Sequence, residues 1–446
     1  MKKLVLFLLL AMLVLSLLAC DSTNSPNSPT RPTETQMTDP ANPVNPTEPN
    51  ETEQPTETLK FSEGLEYMLN SDGVSYSVTG IGTCADTDII IPCVYNDLPV
   101  TTVGTGAFER CEKLTGISIS DSVTNIGSYA FSECTSLTTV KLSNNLTEIS
   151  DHLFSRCINL ESIKIPDGVT SIGKRAFFNC IKLNSVSIPA SVKKIGSRAF
   201  GANSYMEGIA LLNVYITDLS AWCKMEFCDP YMGVVVGTAF YSPYNLYCNN
   251  ELLTDLVVPD DVTRIDVQTF GNCVSITSVR ISDSVTSMAY DAFDDCPNLT
   301  QIYIGKGLET FEGSGYDPLV FFPNCNELTS FNVDPLNPYF SNDESGVLFN
   351  KNKTLLIRAP ATLKGTYNVP SSVTEIDYIA FDGCKKLTGI VISKSLEHVR
   401  ECAFYNCDML ANVYYEGAQS DWEKIEFELE NDSLTNATIH YNQMHI

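Results

Sequence analysis

Positive charge is scarce in this chain. Its 446 residues carry 28 Lys and Arg against 54 Asp and Glu, for a net charge of −26 and an isoelectric point near 4.4. The long-range field of such a surface repels phosphates before any contact forms, so DNA and RNA are excluded as partners. Histidine is scarcer still. His152, His398, His440 and His445 are the only four, none of them in an H-E-x-x-H pair. G-x-S-x-G and P-loop patterns are also absent, which removes the zinc-peptidase, serine-hydrolase and nucleotide-binding readings. The G-x-G of "GTGAFE" lies inside a repeat row and reads as part of it. His152 and His398 fall on variable positions and are expected to be solvated. Asp260–Asp261 and Asp294–Asp295 lack the alternating spacing of a calcium loop and read as surface pairs. No catalytic residue, metal or cofactor is expected, and the chain is not expected to be an enzyme.

Long apolar runs are missing except at the start. "MKKLVLFLLLAMLVLSLLAC" places two lysines before an apolar stretch too short and too N-terminal for a stop-transfer helix, with a small residue before Cys20. Residues 1–19 are therefore expected to be an export signal. The end, "LLAC", resembles the lipobox of bacterial lipoproteins, which implies lipid on the thiol of Cys20 and contact with the membrane through that lipid only. Residues 20–58 are rich in Pro, Thr and Glu and hold no aromatic residue. Such a segment cannot bury enough apolar area to offset its ordering and is expected to be a disordered tether. Prolines at 40, 43, 46 and 49 favour an extended form, which at about 3.1 Å per residue reaches on the order of 100 Å.

Cysteine is present in number, 16 in all, and it is periodic. Rows of 23 residues align Cys111, Cys134, Cys157 and Cys180, then Cys273 with Cys296, then Cys384 with Cys407; Cys325 and Asn203 take the same slot beside the breaks. The row from Leu137 puts apolar side chains at Val140, Leu142, Leu146, Ile149, Phe154 and Cys157, and the row from Leu160 repeats them as Ile163, Ile165, Val169, Ile172, Phe177 and Cys180. Val140 and Leu142 alternate with exposed neighbours as a short strand does, and Pro, Ser or Gly follows at once in "IKIPDG" and "VSIPAS". One row cannot fold alone, because its few apolar side chains do not offset the backbone entropy of the row. Stacking the rows, with strands in parallel about 4.8 Å apart, buries each row against the next. The fold class expected is a repeat solenoid of about 23-residue coils, with one continuous parallel β-sheet and mostly irregular or short-helical return paths.

The rows "ISDSVTNIGSYAFSECTSL", "IPDGVTSIGKRAFFNCIKL" and "VPSSVTEIDYIAFDGCKKL" resemble the repeat of BspA-like leucine-rich repeat surface proteins of bacteria. The column of Cys111, Cys134, Cys157, Cys180, Asn203, Cys273, Cys296, Cys325, Cys384 and Cys407 then reads as a structural ladder, a buried turn position that packs and bonds backbone, since that repeat accepts Cys or Asn there. A catalytic thiol would not recur in row after row and give way to an amide at Asn203. Disulfides along the column are disfavoured because stacked side chains point the same way instead of converging. Zinc is disfavoured because a straight column cannot close a tetrahedron. Outside the column, Cys84 with Cys93, or two of Cys223, Cys228 and Cys248, remain open as bridges; Cys402 also lies off the column.

The period breaks three times, which divides the chain. Residues 59–107 are expected to form an N-terminal cap and first coil, 108–203 repeats, 204–252 an insert, 253–333 repeats, 334–364 a hairpin-like insert with Asn352 near its turn, 365–415 repeats and 416–446 a C-terminal cap. "NVYITDLSAWCKMEF" in the first insert and "NVYYEGAQSDWEKIEF" in the last cap are the same module and hold both tryptophans, Trp222 and Trp422. An aromatic carbohydrate platform is one reading of it. The favoured one is a cap or spacer shielding an exposed strand edge.

The resemblance implies an exported protein at the bacterial surface, acting in adhesion or capture of an extracellular protein or glycan without catalysis. A passive display stalk is the alternative. An enzyme site in the 204–252 insert is a weaker one, since that segment offers only Asp218, Glu226, Asp229 and Glu251 and no histidine. The residue between the two apolar slots of each strand must point outward, and stacking sets these residues in one row. They read Ser118, Lys141, Lys164 and Ser187, then Arg280, Tyr303, Val391 and Tyr414. Of these, Lys141, Lys164, Ser187, Arg280, Tyr303 and Tyr414 are the candidate ligand face: cations can take carboxylated or sulfated groups, and tyrosines can stack on sugars or peptides.

Overall fold

The computed structural model describes residues 61–443 apart from 204–210, 228–229, 232–233, 236–238, 241, 313–321 and 323. The segments expected to be a signal and a tether, with Cys20, therefore lie outside the described residues, as do Cys228, Asp229 and His445. The described chain is a β-solenoid of 23-residue coils with three short helices, Leu219–Cys223, Gln419–Trp422 and Asp432–Thr435. Among the described residues no helix is long and apolar enough to cross a membrane.

Each coil begins with a strand of the main ladder, where parallel pairing runs residue for residue at the repeat spacing. Ser162–Lys164 pairs with Ser185–Ser187, which pairs with Leu212–Ile216 and then with Tyr244–Cys248. The ladder of hydrogen bonds is divided into four stretches instead of running unbroken. One interruption separates Thr139–Lys141 from Ser162–Lys164, where Lys141 and Lys164 occupy equivalent places in neighbouring coils and like charges side by side oppose pairing. Another stretch unites Asp255–Val257, Ser278–Ile281, Gln301–Ile304 and Ser330–Val333.

The return paths are more regular than the sequence suggests. They hold a second parallel ladder of very short strands: Glu148–Ile149, Ser171–Ile172 and Lys194–Ile195 in one run, Arg264–Ile265, Ser287–Ala289 and Thr310–Glu312 in another. Between the ladders the backbone turns through left-handed residues such as Tyr129, His152 and Arg175, with φ of 61°, 58° and 53°. That conformation costs a non-glycine residue roughly 1–2 kcal/mol. It aims each amide at the next coil, so that Tyr129 N–H bonds Asp151 O, His152 N–H bonds Lys174 O and Arg175 N–H bonds Ser197 O. Coils approach so closely at Gly196 that a Cβ there would lie 2.6 Å from the Lys174 amide nitrogen.

The core is a set of columns. Phe108, Phe131, Phe154, Phe177, Phe200 and Phe240 stack with centroids 5.1–5.5 Å apart and rings within 13° of parallel. Offset aromatic pairs of this kind contribute about 0.5–1.5 kcal/mol each beyond their buried area. Phe270, Phe293 and Phe322 continue the arrangement after the first break, and Phe381 with Phe404 after the last.

The breaks are enlarged coils. Leu212–Ile216 and Tyr244–Cys248, both within 204–252, are rungs of the main ladder; a lengthened return path joins them, and Tyr244–Cys248 then turns back antiparallel into Glu251–Leu252 before the next rung at Asp255–Val257. Within 334–364, Phe340–Asn342, Leu348–Asn350 and Leu355–Arg358 pair antiparallel, and Leu355–Leu356 then rejoins the second ladder beside Glu375–Ile376.

Candidate functional site

Registry carries the outward residues into rows. Lys164 stands beside Ser187, Ser187 beside Tyr215 and Tyr215 beside Tyr247. Val257, Arg280, Tyr303 and Asn332 form the next row, and Asn368, Val391, Tyr414 and His440 the last. Lys141, Lys164, Ser187 and Arg280 are exposed, while Tyr303 and Tyr414 are half-buried. Val391 departs from the expectation. It is 7 % exposed, covered by its neighbours in the row, and offers nothing to a ligand.

The rows add groups that the repeat alone did not mark. Tyr215 stacks on Tyr247 with centroids 4.7 Å apart, and Tyr414 stacks on His440 at 4.9 Å. His440 Nε2 lies 3.0 Å from Asn412 Oδ1. Tyr215 was legible in principle, because the two tryptophan modules align it with Tyr414. Tyr247 and His440 lie in coils whose length breaks the period.

Arg280 and Tyr303 form the most constrained part of the face. The guanidinium carbon of Arg280 lies 4.1 Å from the centroid of the Tyr303 ring. The Tyr303 hydroxyl donates to Asp334 Oδ2 at 2.8 Å, a bond that raises the phenol's pKa and fixes the ring. Nearby, Lys306 pairs with Asp283 at 2.6 Å.

The cysteine column faces inward. Cys134, Cys157 and Cys180 each donate from Sγ to the carbonyl of a phenylalanine in the preceding coil, Phe108, Phe131 and Phe154, at 3.1 Å. Cys296, Cys325 and Cys407 do the same toward Phe270, Phe293 and Phe381, and Cys384 toward Pro360. Cys273, which follows an enlarged coil, instead lies 3.4 Å from Ser275 Oγ. Burial pushes the Cys134 thiol up to about 12, and a thiol so protonated is no nucleophile. Cys111 differs from the buried position expected of it, being half-exposed on the first rung of the column. Asn203, also half-buried, donates its backbone N–H to the side-chain Oδ1 of Asn179 at 2.8 Å. Cys84, Cys93, Cys223, Cys248 and Cys402 are free thiols.

The pattern described by the family model "BspA type Leucine rich repeat region (6 copies)" matches residues 89–219, 243–344 and 363–446. The chain belongs to this family. Solved structures similar to it include a leucine rich cell surface protein from Faecalibacterium prausnitzii A2-165, 23 % identical over 82 % of this chain and 97 % of that one, with a TM-score of 0.47. A leucine-rich repeat protein from Bacteroides ovatus is 19 % identical over 85 % of this chain and 98 % of its own, TM-score 0.41. The pneumococcal vaccine antigen PcpA is 15 % identical over 86 % and 97 %, TM-score 0.27. No curated protein matches the chain.

Within this BspA-type solenoid the tryptophans face the core. Trp222 is 1 % exposed, packs on Phe227, Phe240 and Tyr244, and donates its indole N–H to Thr269 O at 3.1 Å. Trp422 is likewise buried against Tyr415 and Phe427. Neither ring is available to a sugar, so the platform reading is set aside. Of the insert's acids, Asp218 caps the helix Leu219–Cys223 through Ala221 N–H, while Glu226 and Glu251 are exposed. Among the described residues no group of three His, Cys, Asp or Glu could hold a metal ion.

Three other expectations are corrected. His152 is half-buried and stacks on Tyr129 at 4.5 Å, with its pKa lowered first by burial and then by Arg175. His398 is half-buried between Glu375 and Glu428. Asp294 is half-buried where a solvated surface pair was expected: burial, then Asp295, raise its carboxyl to about 6, and Gln268 Nε2 donates to it at 3.2 Å.

Proposed function

We propose that this BspA-type protein is a non-catalytic binding scaffold at the bacterial surface, held by lipid on Cys20. It takes an extracellular protein or glycan on the outward face of the main ladder. The observation that carries this reading is the set of rows itself. The outward rows carry cations and flat aromatic side chains, Lys164, Tyr215 and Tyr247 in one and Arg280 and Tyr303 in the next, and Lys141 occupies the place equivalent to Lys164 in the coil before. Two like charges in neighbouring strands oppose stability, so an acidic ligand would gain from relieving them. On a chain of net charge −26, such a patch steers an anionic partner at short range only, and its effect weakens with salt.

Screening the protein against glycan and host-protein arrays tests the reading. Lys141→Glu with Lys164→Glu is expected to fold normally, to weaken attachment to an acidic ligand about tenfold or more and to flatten its salt dependence. Undiminished binding by that variant moves the site elsewhere. Absence of any binding by wild type favours a passive stalk.

A further inference from the structure

Above the strands Asp255–Val257, Ser278–Ile281, Gln301–Ile304 and Ser330–Val333 lies a groove of about 530 Å³. Its floor is the outward row of this stretch. We infer that this groove binds the carboxylate-bearing sugar of an acidic glycan, with Arg280 as the carboxylate's partner. The inference rests on the outward face being the binding face and names what one part of it recognises.

Arg280 is the only cation of the lining, and among the described residues no ion pair joins it to a carboxylate. In a chain with 54 acidic residues an arginine on an exposed strand could readily have been given such a partner. Instead its guanidinium lies over the Tyr303 ring, and Tyr303 is in turn held by Asp334. The guanidinium is thus held against the ring and beside its hydroxyl, and the N–H groups not turned to Tyr303 can bind a carboxylate by two parallel hydrogen bonds. Because the stacking is already made, little side-chain freedom is left to lose on binding.

The rest of the lining fits a sugar better than a peptide side chain. Asp255, Ser278, Gln301 and Asn332 line the groove with short polar groups that can donate to or accept from hydroxyls. Asp255 and Ser278 already bond each other at 2.5 Å, and Asn332 bonds Ser330 at 3.0 Å, so these groups are positioned before a ligand arrives. Val257, 56 % exposed at the edge, offers one apolar contact for a ring face. No deep apolar pocket is present among these residues to anchor a peptide.

The test uses the full chain in detergent, titrated with methyl glucuronide, methyl glucoside and acetate by saturation-transfer NMR and calorimetry. Methyl glucuronide is expected to bind at least tenfold more tightly than either of the others. Arg280→Ala is expected to lose about 10- to 100-fold of that affinity. Arg280→Lys, which keeps the charge and loses the fork, should recover only part of it. Circular dichroism of both variants should match wild type, because the side chain is exposed. Equal binding of glucuronide and glucoside overturns the inference, because the arginine is then not the reader. Acetate binding as well as glucuronide reduces the groove to a simple anion site and also overturns it. If glucuronide fails to bind while Lys141→Glu with Lys164→Glu still weakens attachment of the whole protein, the groove is wrong and the binding face stands.

Discussion

Cys134 shows how position in a stack can decide a residue's role. The thiol sits in a slot where the preceding coil presents a carbonyl, so it acts as a small apolar group with one weak donor. Replacing it with Ser places a more polar group in a packed site and should cost about 1–3 kcal/mol in urea unfolding while leaving ligand affinity unchanged. Alkylation of the native protein at pH 8 should modify Cys84 and Cys93 well before Cys134, Cys157 and Cys180, which burial keeps protonated. Asp294 makes a second prediction with a sign. Its carboxyl is raised to about 6, chiefly by burial, above the ordinary value of an unfolded chain. Between about pH 4 and pH 6 the folded state therefore holds more protons than the unfolded one, and stability falls as pH rises through that window. Asp291 and Asp377, raised by the same cause, add to the trend. Asp294→Asn should narrow the difference in unfolding midpoint between pH 4.5 and pH 7.5, and an unchanged difference would show that the carboxyl titrates as if exposed.

At the scale of the element, what could be read from sequence depended on whether the period held. The strand slots of the 23-residue rows are governed by burial, which leaves a strict alternation, so Ile163 and Ile165 point inward and Lys164 outward in the structure. The second ladder was not legible. Its strands are mostly two residues long, such as Ser171–Ile172, and two residues cannot display a period. Tyr247 was missed for a related reason: the return path that leads to it from Leu212–Ile216 is lengthened, and only the pairing of Val214 with Leu246 restores its place in the row. Val391 was misplaced because alternation gives direction and says nothing of what neighbours cover. The tryptophan module joins these effects, since the W-x-K-x-E-F spacing lays Trp222 and Phe227 together in the core beneath a one-turn helix capped by Asp218. Trp222→Ala should cost about 3–5 kcal/mol in denaturant unfolding. A cost below about 1 kcal/mol would mean that the enlarged coil does not pack as described.

For the whole molecule, an acidic solenoid behind a long Pro-rich segment suits display away from a membrane, and the proposed anchor has a direct check. Cys20→Ala should release the protein from the membrane fraction and abolish metabolic labelling with a fatty acid, whereas continued partitioning would remove the anchor from the account. The proposed binding face on the outward side of the main ladder is tested by comparing two double variants with the same change in charge, displayed on cells and measured for attachment to an acidic glycoprotein across a salt series. One is Lys141→Glu with Lys164→Glu on the sheet face; the other is Lys174→Glu with Lys182→Glu, both exposed and outside the strands of the main ladder. The first is expected to lose about tenfold or more of its attachment and most of its salt dependence while the second retains both. Equal losses from the two, or a greater loss from the second, would contradict the proposed face.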